Sequence, residues 1–377
     1  MTRQRLKGLD LGQLQLFVES LGERKYRAAQ LFSWMYARGA ASFEAMTDVS
    51  KEFRSLLEQV ATLQELSLVR KSVSEADGTI KFLFALSDGL HVESVLIPPE
   101  PDSPGAERRL TACLSTQVGC PLDCAFCATG TMGFSRNLTT GEIVDQMLQA
   151  QSHAPRRISN VVFMGMGEPL LNYENVMAAA HLLTDERAWG IGARRITVST
   201  AGYADRIRQM ADEKRKFKLA LSLHSLNNEK RIRLMPLTKK FSIDDLLDAL
   251  SYYYRTTRLR PTFEYILFDG FNDTDDDVQR LVSACRRVPS KINLIPYHSI
   301  AFVRPKGLAQ SLRPAPRSKI EEFAAALRRH NITVMVRSSS GEDIEAACGQ
   351  LAVTEQELRQ QSDRAHAATR TAATLHT

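Results

Sequence analysis

The sequence predicts an α/β protein, a partial (β/α)6 TIM-like barrel preceded by an N-terminal helical accessory domain and a small β-meander. Three observations predict it. From about residue 110, strand-like runs alternate with helical ones through six units, the pattern of a parallel sheet. The first 60 residues instead carry apolar side chains at helical spacing. Between these blocks lie strand-like runs bounded by Asp77-Gly78 and Asp88-Gly89, both hairpin-turn dipeptides. A chain of 377 residues accommodates one barrel plus smaller modules, and 44% hydrophobic with 24% charged residues is enough to build a sizeable core. The boundaries follow the pattern: 1–62 helical, 63–105 meander and linker, 106–345 barrel, and 346–377 a C-terminal segment ending in a flexible tail.

The elements are justified in order. Helical spacing covers 9–21, 26–36 and 43–60. Arg24, Lys25, Arg27 and Arg38 sit there among Tyr26, Phe32, Trp34 and Tyr36. A charge run is most often a solvated face; the sharper reading is an RNA-docking module. Strands follow at 66–73, 80–86 and 90–97, then a proline-rich linker through Gly105. The barrel strands are 110–115, 160–164, 195–199, 218–223, 262–267 and 291–295. Helices intervene at 141–152, 173–184, 203–212, 243–255, 274–287 and 317–330. Thr139-x-x-Glu142 and Ser242-x-x-Asp245 are capping-box starts for two of them. A last strand at 333–337 precedes Ser338-Ser339-Ser340-Gly341, a flexible segment leading to Cys348-Gly349.

Composition narrows the function classes. The start, Met1-Thr2-Arg3-Gln4-Arg5-Leu6-Lys7, has no apolar run behind it, so no secretory signal is expected. No apolar stretch approaches a membrane span, and a cytoplasmic protein without a membrane partner is expected. Six cysteines in so long a chain do not make a disulfide scaffold. The net charge of +6 is compatible with a polyanionic partner without requiring one.

Chemistry concentrates after the first barrel strand, at the end where such barrels place their sites. Cys120, Cys124 and Cys127 form Cys-x3-Cys-x2-Cys. Three thiolates on one loop can grip a metal centre and leave a coordination position open. The spacing fits neither the paired zinc patterns nor the four-cysteine ferredoxin runs. Gly165-Met166-Gly167-Glu168-Pro169 closes the second strand. Its glycines admit a ligand close to backbone, and Glu168 can accept hydrogen bonds from an ammonium group. Alone, Gly-x-Gly is most often a tight turn. Ser199 and Ser222-Leu223-His224 end the third and fourth strands, where backbone neighbours ordinarily satisfy such groups. Cys113 lies in a strand-like run and reads by itself as a small buried hydrophobe. Cys348 lies beyond the barrel on a glycine-flanked segment, where a thiol can act as a nucleophile.

The three-cysteine motif resembles that of the radical S-adenosylmethionine (SAM) enzymes. The runs Ser115-Thr116-Gln117-Val118-Gly119-Cys120, Gly133-Phe134-Ser135-Arg136-Asn137-Leu138, Gly165 to Asn172 and Ala346-Ala347-Cys348-Gly349-Gln350-Leu351 resemble, in order, the RlmN family. The likeness runs from the N-terminal helices to about residue 352. It implies a radical SAM barrel, with one [4Fe-4S] cluster on Cys120, Cys124 and Cys127. It implies SAM contacts at Gly167, Glu168, Ser199, Ser222, Leu223 and His224. His298 stands where the family has Asn after Asn-Leu-Ile-Pro, and can offer one hydrogen bond in its place.

Carbon 2 of adenine is electron-poor between two ring nitrogens, so it cannot attack a methyl sulfonium directly, and a carbon radical must add there. The resemblance therefore implies two SAM molecules per turnover, with Cys348 as the S-methylcysteine intermediate, Cys113 as its disulfide partner and Glu93 as proton acceptor. It implies methylation of 23S rRNA and certain tRNAs, a flavodoxin-like electron donor and a monomer. Phosphate contacts are expected at Lys214-Arg215-Lys216, Lys230-Arg231-x-Arg233, Lys239-Lys240 and Arg255 to Arg260 beside Tyr252-Tyr253-Tyr254. Two other readings stand beside this one: a Cfr-type enzyme acting on adenine carbon 8, and an RNA-binding protein with a structural iron–sulfur or zinc site.

Overall fold

The computed structural model describes residues 3–99 and 109–353. Most of the expected linker and the polar tail lie outside the described residues. At the N-terminus β1 (Gln4–Arg5) pairs in parallel with β2 (Ala61–Thr62) and closes a helical unit on itself. Within it lie α1 (Leu11–Ser20), α2 (Tyr26–Phe32) extended by one π turn through Ala37, and α3 (Lys51–Val60). Asp10 and Gln13 form a capping box that starts α1. Helix was expected over 43–60, but it begins at Lys51, where the Ser50 hydroxyl accepts the Phe53 N–H. Phe43, Met46 and Val49 are buried at helix-like spacing by successive turns instead, which explains the misleading period.

The meander strands are β3 (Leu66–Val73), β4 (Ile80–Leu86) and β5 (His91–Ile97). Next come β6 (Thr111–Cys113), the short antiparallel pair β7 (Gln117–Gly119) and β8 (Phe134–Asn137), and α4 (Thr140–Ser152). The repeating part continues through β9 (Asn160–Phe163), α5 (Tyr173–Thr184), β10 (Ile196–Thr200), α6 (Ala204–Asp212) and β11 (Lys218–Ser222). It is completed by α7 (Asn228–Leu234), α8 (Ile243–Thr257), β12 (Thr262–Leu267), α9 (Asp275–Arg287), β13 (Lys291–Pro296), α10 (Arg317–Arg329) and β14 (Val334–Val336). Both predicted capping boxes are present at α4 and α8. Each fixes a helix start by satisfying two orphan N–H groups. α7 and the β7–β8 pair were not expected, because seven, three and four residues are too short to show a period.

Ten strands form one sheet in the order β14-β13-β12-β11-β10-β9-β6-β5-β4-β3. From β6 through β14 every pairing is parallel. The meander is not a separate sheet: β5 pairs antiparallel with β6, setting Val95 opposite Cys113. The sheet does not close by strand pairing. The chain after β14 instead reaches the β3–β4 hairpin, where Glu75 N–H donates to Asp343 at 3.0 Å and Gly341 N–H donates to Asp77 at 2.9 Å. The segment expected to be flexible is thus fastened at Gly341, and it bridges the two ends of an incomplete barrel.

The N-terminal unit seats on α4 at a glycine contact. A Cβ on Gly141 would overlap the Lys7 carbonyl, and Gly8, at φ +98°, stands against Gly141 itself. Lys7 pairs with Asp145 at 2.6 Å beside this contact. Gly141→Ala is expected to wedge the unit off α4 at about 1–3 kcal/mol, the range for overpacking a close contact. Urea unfolding measures it; an unchanged midpoint would show that the contact yields freely.

Candidate active site

The cysteine loop begins where β7 ends. Gly119, at φ +71°, turns the chain so closely past Gly133 that a Cβ there would strike the Gly133 carbonyl. That carbonyl accepts the Cys120 N–H at 2.8 Å. Ala125 N–H donates to Leu234 C=O at 2.9 Å, and Ala128 N–H to Gly349 C=O at 2.7 Å. The loop is thereby held to α7 on one side and to the C-terminal segment on the other. Burial pushes the Cys120 thiol up to about 12, with Cys127 and Glu168 adding to the rise. Burial also raises Cys124 far above its ordinary value, and Cys127 above its own. Three partly buried thiols on one loop, each raised above its ordinary pKa, are favoured as thiolates by a cationic centre. Among the described residues, no three His, Cys, Asp or Glu side chains are placed to share a single metal ion. A four-iron cube asks for something else, since each thiolate binds its own iron. The residues fit a cluster better than a zinc ion.

The cysteines line a cavity of about 140 Å³ with Gly167, Glu168, Ser199, Ser222, His224 and Cys348. Glu168 is buried, and its two oxygens accept N–H groups from Leu170 at 3.0 Å and Ala201 at 2.8 Å. Burial lifts its pKa to about 7, against the lowering by those donors. Gly167, at φ +101°, packs so tightly that a Cβ would meet the Gln117 side chain at 2.5 Å. The Gln117 amide oxygen in turn accepts the Glu168 N–H at 2.8 Å. The second strand end is therefore a rigid mount for one carboxylate.

His224 adopts φ +55°, a left-handed conformation that costs a non-glycine residue about 1 kcal/mol or more. Burial, with Arg231 nearby, drives its pKa down to about 3. The neutral ring accepts the Ile266 N–H on Nδ1 at 3.0 Å and packs edge-on to Phe126 with centroids 4.5 Å apart. Its proton is therefore on Nε2. The Leu223 side chain is fully buried and does not line the cavity, so only its backbone can serve a ligand.

Arg231 corrects an expectation. Grouped from sequence with a phosphate-binding cluster, it is 0% exposed. Its guanidinium donates to the carbonyls of Leu223 at 3.0 Å, Ala201 at 2.6 Å and Ser222 at 3.0 Å, and to the Thr238 hydroxyl at 2.6 Å. It ties together the chain ends after β10 and β11 and places a buried positive charge beside Cys124. Lys230 next to it is paired with Asp277 at 3.0 Å, and Tyr253 is buried with its hydroxyl on Phe217 C=O. These residues do not form the expected RNA surface. Arg24, Lys25 and Tyr26 in the N-terminal unit are exposed, and Arg38 stacks on Trp34 at 4.1 Å.

A second cavity adjoins the first. Cys113, Cys348, Cys127, His298 and Arg337 line it together, so the two outlying cysteines meet next to the triad. Burial, and then Cys348, pushes the Cys113 thiol up to about 12. His298 lies here rather than in the first cavity, with Nδ1 3.4 Å from Glu342. That placement does not bring it among Glu168, Ser199 and Ser222. Glu93 is fully buried and lines neither cavity; its carboxylate pairs with Lys81 at 3.2 Å and accepts the Ala352 N–H at 3.0 Å.

Sequence reasoning missed Arg337 and Glu264, which line the first cavity 3.9 Å apart. Asn293 donates to Glu264 at 2.9 Å. A single charge inside the apolar strand run Thr262 to Leu267 was the available signal for Glu264.

Residues 114–282 match the family model of the radical SAM superfamily, and residues 4–63 match that of the ribosomal RNA large subunit methyltransferase N-terminal domain. The probable dual-specificity RNA methyltransferase RlmN of Thermotoga sp. (strain RQ2) is 46% identical over 345 residues, spanning 91% of this chain and 96% of that protein. The protein of the same description from Salinibacter ruber is 43% identical over 353 residues, 92% and 93% of the two chains. The crystal structure of a radical SAM methyltransferase from Sphaerobacter thermophilus superposes with a TM-score of 0.85 at 40% identity, covering 92% of this chain and 99% of that one.

The raised pKa of Glu168 has a definite sign. The unfolded carboxyl ionises near its ordinary 4.5 and the folded one near 7, so between these values the folded chain binds the extra proton. The contribution of Glu168 to stability therefore falls as pH rises through that window and levels off above it. In protein without cluster or ligand, Glu168→Gln should flatten this slope and raise stability at pH 8 by up to about 3 kcal/mol. Urea midpoints at pH 5 and pH 8 measure it, and an unaltered slope would refute the buried-carboxylate account.

Proposed function

The chain belongs to the RlmN family of radical SAM methyltransferases, and on that premise we propose that it methylates carbon 2 of adenosine in large-subunit ribosomal RNA and in transfer RNA. The observation that carries the reading is the cavity where Cys113 and Cys348 meet beside Cys127. A structural metal site would need neither outlying thiol. The match of residues 4–63 to the ribosomal RNA methyltransferase N-terminal model supports this reading over action at carbon 8.

Cys120, Cys124 and Cys127 would hold the cluster. Glu168 would take the amino group of SAM, with Ser199 and Ser222 on the same wall. Together these groups supply a carbon radical by one-electron reduction, the electron coming from a flavodoxin-like donor. The rest falls to the chain's own residues. The Glu168 carboxylate, held by two N–H donors, is preorganised for an ammonium ion and needs no rearrangement to receive it. The apolar side chains of Phe126, Phe163, Met235, Ile266 and Ile295 keep water from the reacting centre. Cys348, open to both cavities, is the thiol that accepts a methyl group and becomes a thioether. The chain's residues would use SAM in two capacities, as methyl donor to Cys348 and as radical source at the cluster. Glu93, which lines neither cavity, would take the proton from carbon 2 only after a shift of the segment that its carboxylate holds at Ala352. Once the carbon carried on Cys348 is bonded to carbon 2, Cys113, having lost its thiol proton, would attack the Cys348 sulfur. The sulfur–carbon bond breaks with its electron pair on carbon, that carbon takes up a proton to become the methyl group, and a Cys113–Cys348 disulfide is left. Burial keeps the Cys113 thiol protonated, which protects it from forming that disulfide early. The N-terminal unit, with exposed Arg24, Lys25 and Tyr26, docks the RNA, and the target base must leave its stack to reach the cavity.

Anaerobic reconstitution should load about four iron atoms per chain, and a zinc-only protein would sink the radical reading. Cys348→Ala should abolish both protein methylation and RNA product. Cys113→Ala should accumulate a protein–RNA crosslink, and free turnover by that variant would contradict its resolving role. Mass spectrometry of nucleosides from a deletion strain should register loss of 2-methyladenosine from both ribosomal and transfer RNA; loss of 8-methyladenosine instead would reassign the carbon.

A further inference from the structure

Lys81 on β4 is 4% exposed, and Glu93 on β5 is fully buried. They face one another diagonally, since Leu83 stands opposite Glu93 and Lys81 opposite Val95. Their ion pair is 3.2 Å long. Each partner also grips the C-terminal segment, on opposite sides of Cys348. The Lys81 ammonium donates to Glu345 C=O at 3.4 Å, and the Glu93 carboxylate accepts the Ala352 N–H at 3.0 Å. From the facing wall, Ala128 N–H donates to Gly349 C=O at 2.7 Å and the Thr129 hydroxyl donates to Leu351 C=O at 2.6 Å.

A buried ion pair gains little over apolar packing, because both charges lose their hydration. This pair nevertheless occupies the inside of the meander sheet, where Val95 and Ile97, on the same face of β5 as Glu93, line the cavity. What it does that two apolar side chains cannot is to present a donor and an acceptor to the backbone around Cys348.

We infer that the Lys81–Glu93 pair is a clamp for the Cys348 segment, and that Lys81 is a positioning residue for the thiol that accepts the methyl group. The clamp rests on the reading of Cys348 as that acceptor. It also gives Glu93 a task that precedes proton acceptance. Methyl transfer to Cys348 needs no RNA and no base at carbon 2. A Glu93 that served only as proton acceptor would leave that first transfer untouched, and Lys81 would be silent in it.

The test uses the full chain with three variants: Lys81→Met, Lys81→Arg, and Lys81→Met combined with Glu93→Gln. In the reconstituted protein without RNA, intact mass should register methylation of Cys348 slowed by about tenfold or more in Lys81→Met. Lys81→Arg should recover most of the rate. In protein without cluster, amide exchange over 345–352 should quicken by about tenfold or more in Lys81→Met, while α5 and α9 keep their protection. The double variant buries no charge, so its global unfolding midpoint should match the wild type while Cys348 methylation stays slow. Normal methylation together with normal exchange in the double variant overturns the clamp. If Cys348→Ala still yields methylated RNA, the acceptor reading fails instead, and the exchange measurement still decides whether the pair holds the segment.

Discussion

The site depends on how the chain is fastened after its last strand. The sheet leaves a gap between β14 and the meander, and among the described residues no strand fills it. The gap is crossed by a segment whose backbone groups are satisfied one at a time by Asp77, Lys81, Glu93, Ala128 and Thr129. A connection built from single hydrogen bonds is weaker than a ladder and easier to open in part. It also brings together residues from opposite ends of the sequence. Ala128 follows directly on the last cysteine of the triad, and its N–H holds Gly349, the neighbour of Cys348. The spacing between the cysteine loop and Cys348 is therefore set by the Ala128 and Thr129 contacts and supported from behind by a buried ion pair.

The cavity around this contact holds charges at a cost. Three thiols and a carboxylate share a buried space with Arg231, a cation whose partners are carbonyls and a hydroxyl. Burial raises the pKa of every one of the acids, which disfavours their charged forms. A cationic metal centre and an ammonium group reverse that preference, and their binding energy is reduced by the cost of releasing the protons. Arg231 also joins two strand ends.

Much of the fold was legible locally. Capping boxes at Thr139 and Ser242 placed two helix starts, and the Asp-Gly turns placed the meander hairpins. A Cys-x3-Cys-x2-Cys run names its chemistry without reference to anything distant, and Glu168 follows from its place at a strand end. Other features were misread for identifiable reasons. Phe43, Met46 and Val49 kept a helical period inside turns. Arg231 looked like a surface cation because its neighbours Lys230 and Arg233 are charged, whereas its partners are carbonyls that carry no sequence signature.

By itself, then, the sequence determined the order of strands and helices, the triad on the first barrel loop and the presence of two cysteines outside it. These are properties of short windows, where propensity, capping and motif spacing act between near neighbours. Only the tertiary structure decided that the meander continues the barrel sheet, that Arg231 is internal, that His298 belongs with the cysteine pair, and that Glu93 stands behind the cavity wall paired with Lys81. Each of those rests on contact between residues far apart in the chain, and burial and pairing at that range arise from packing.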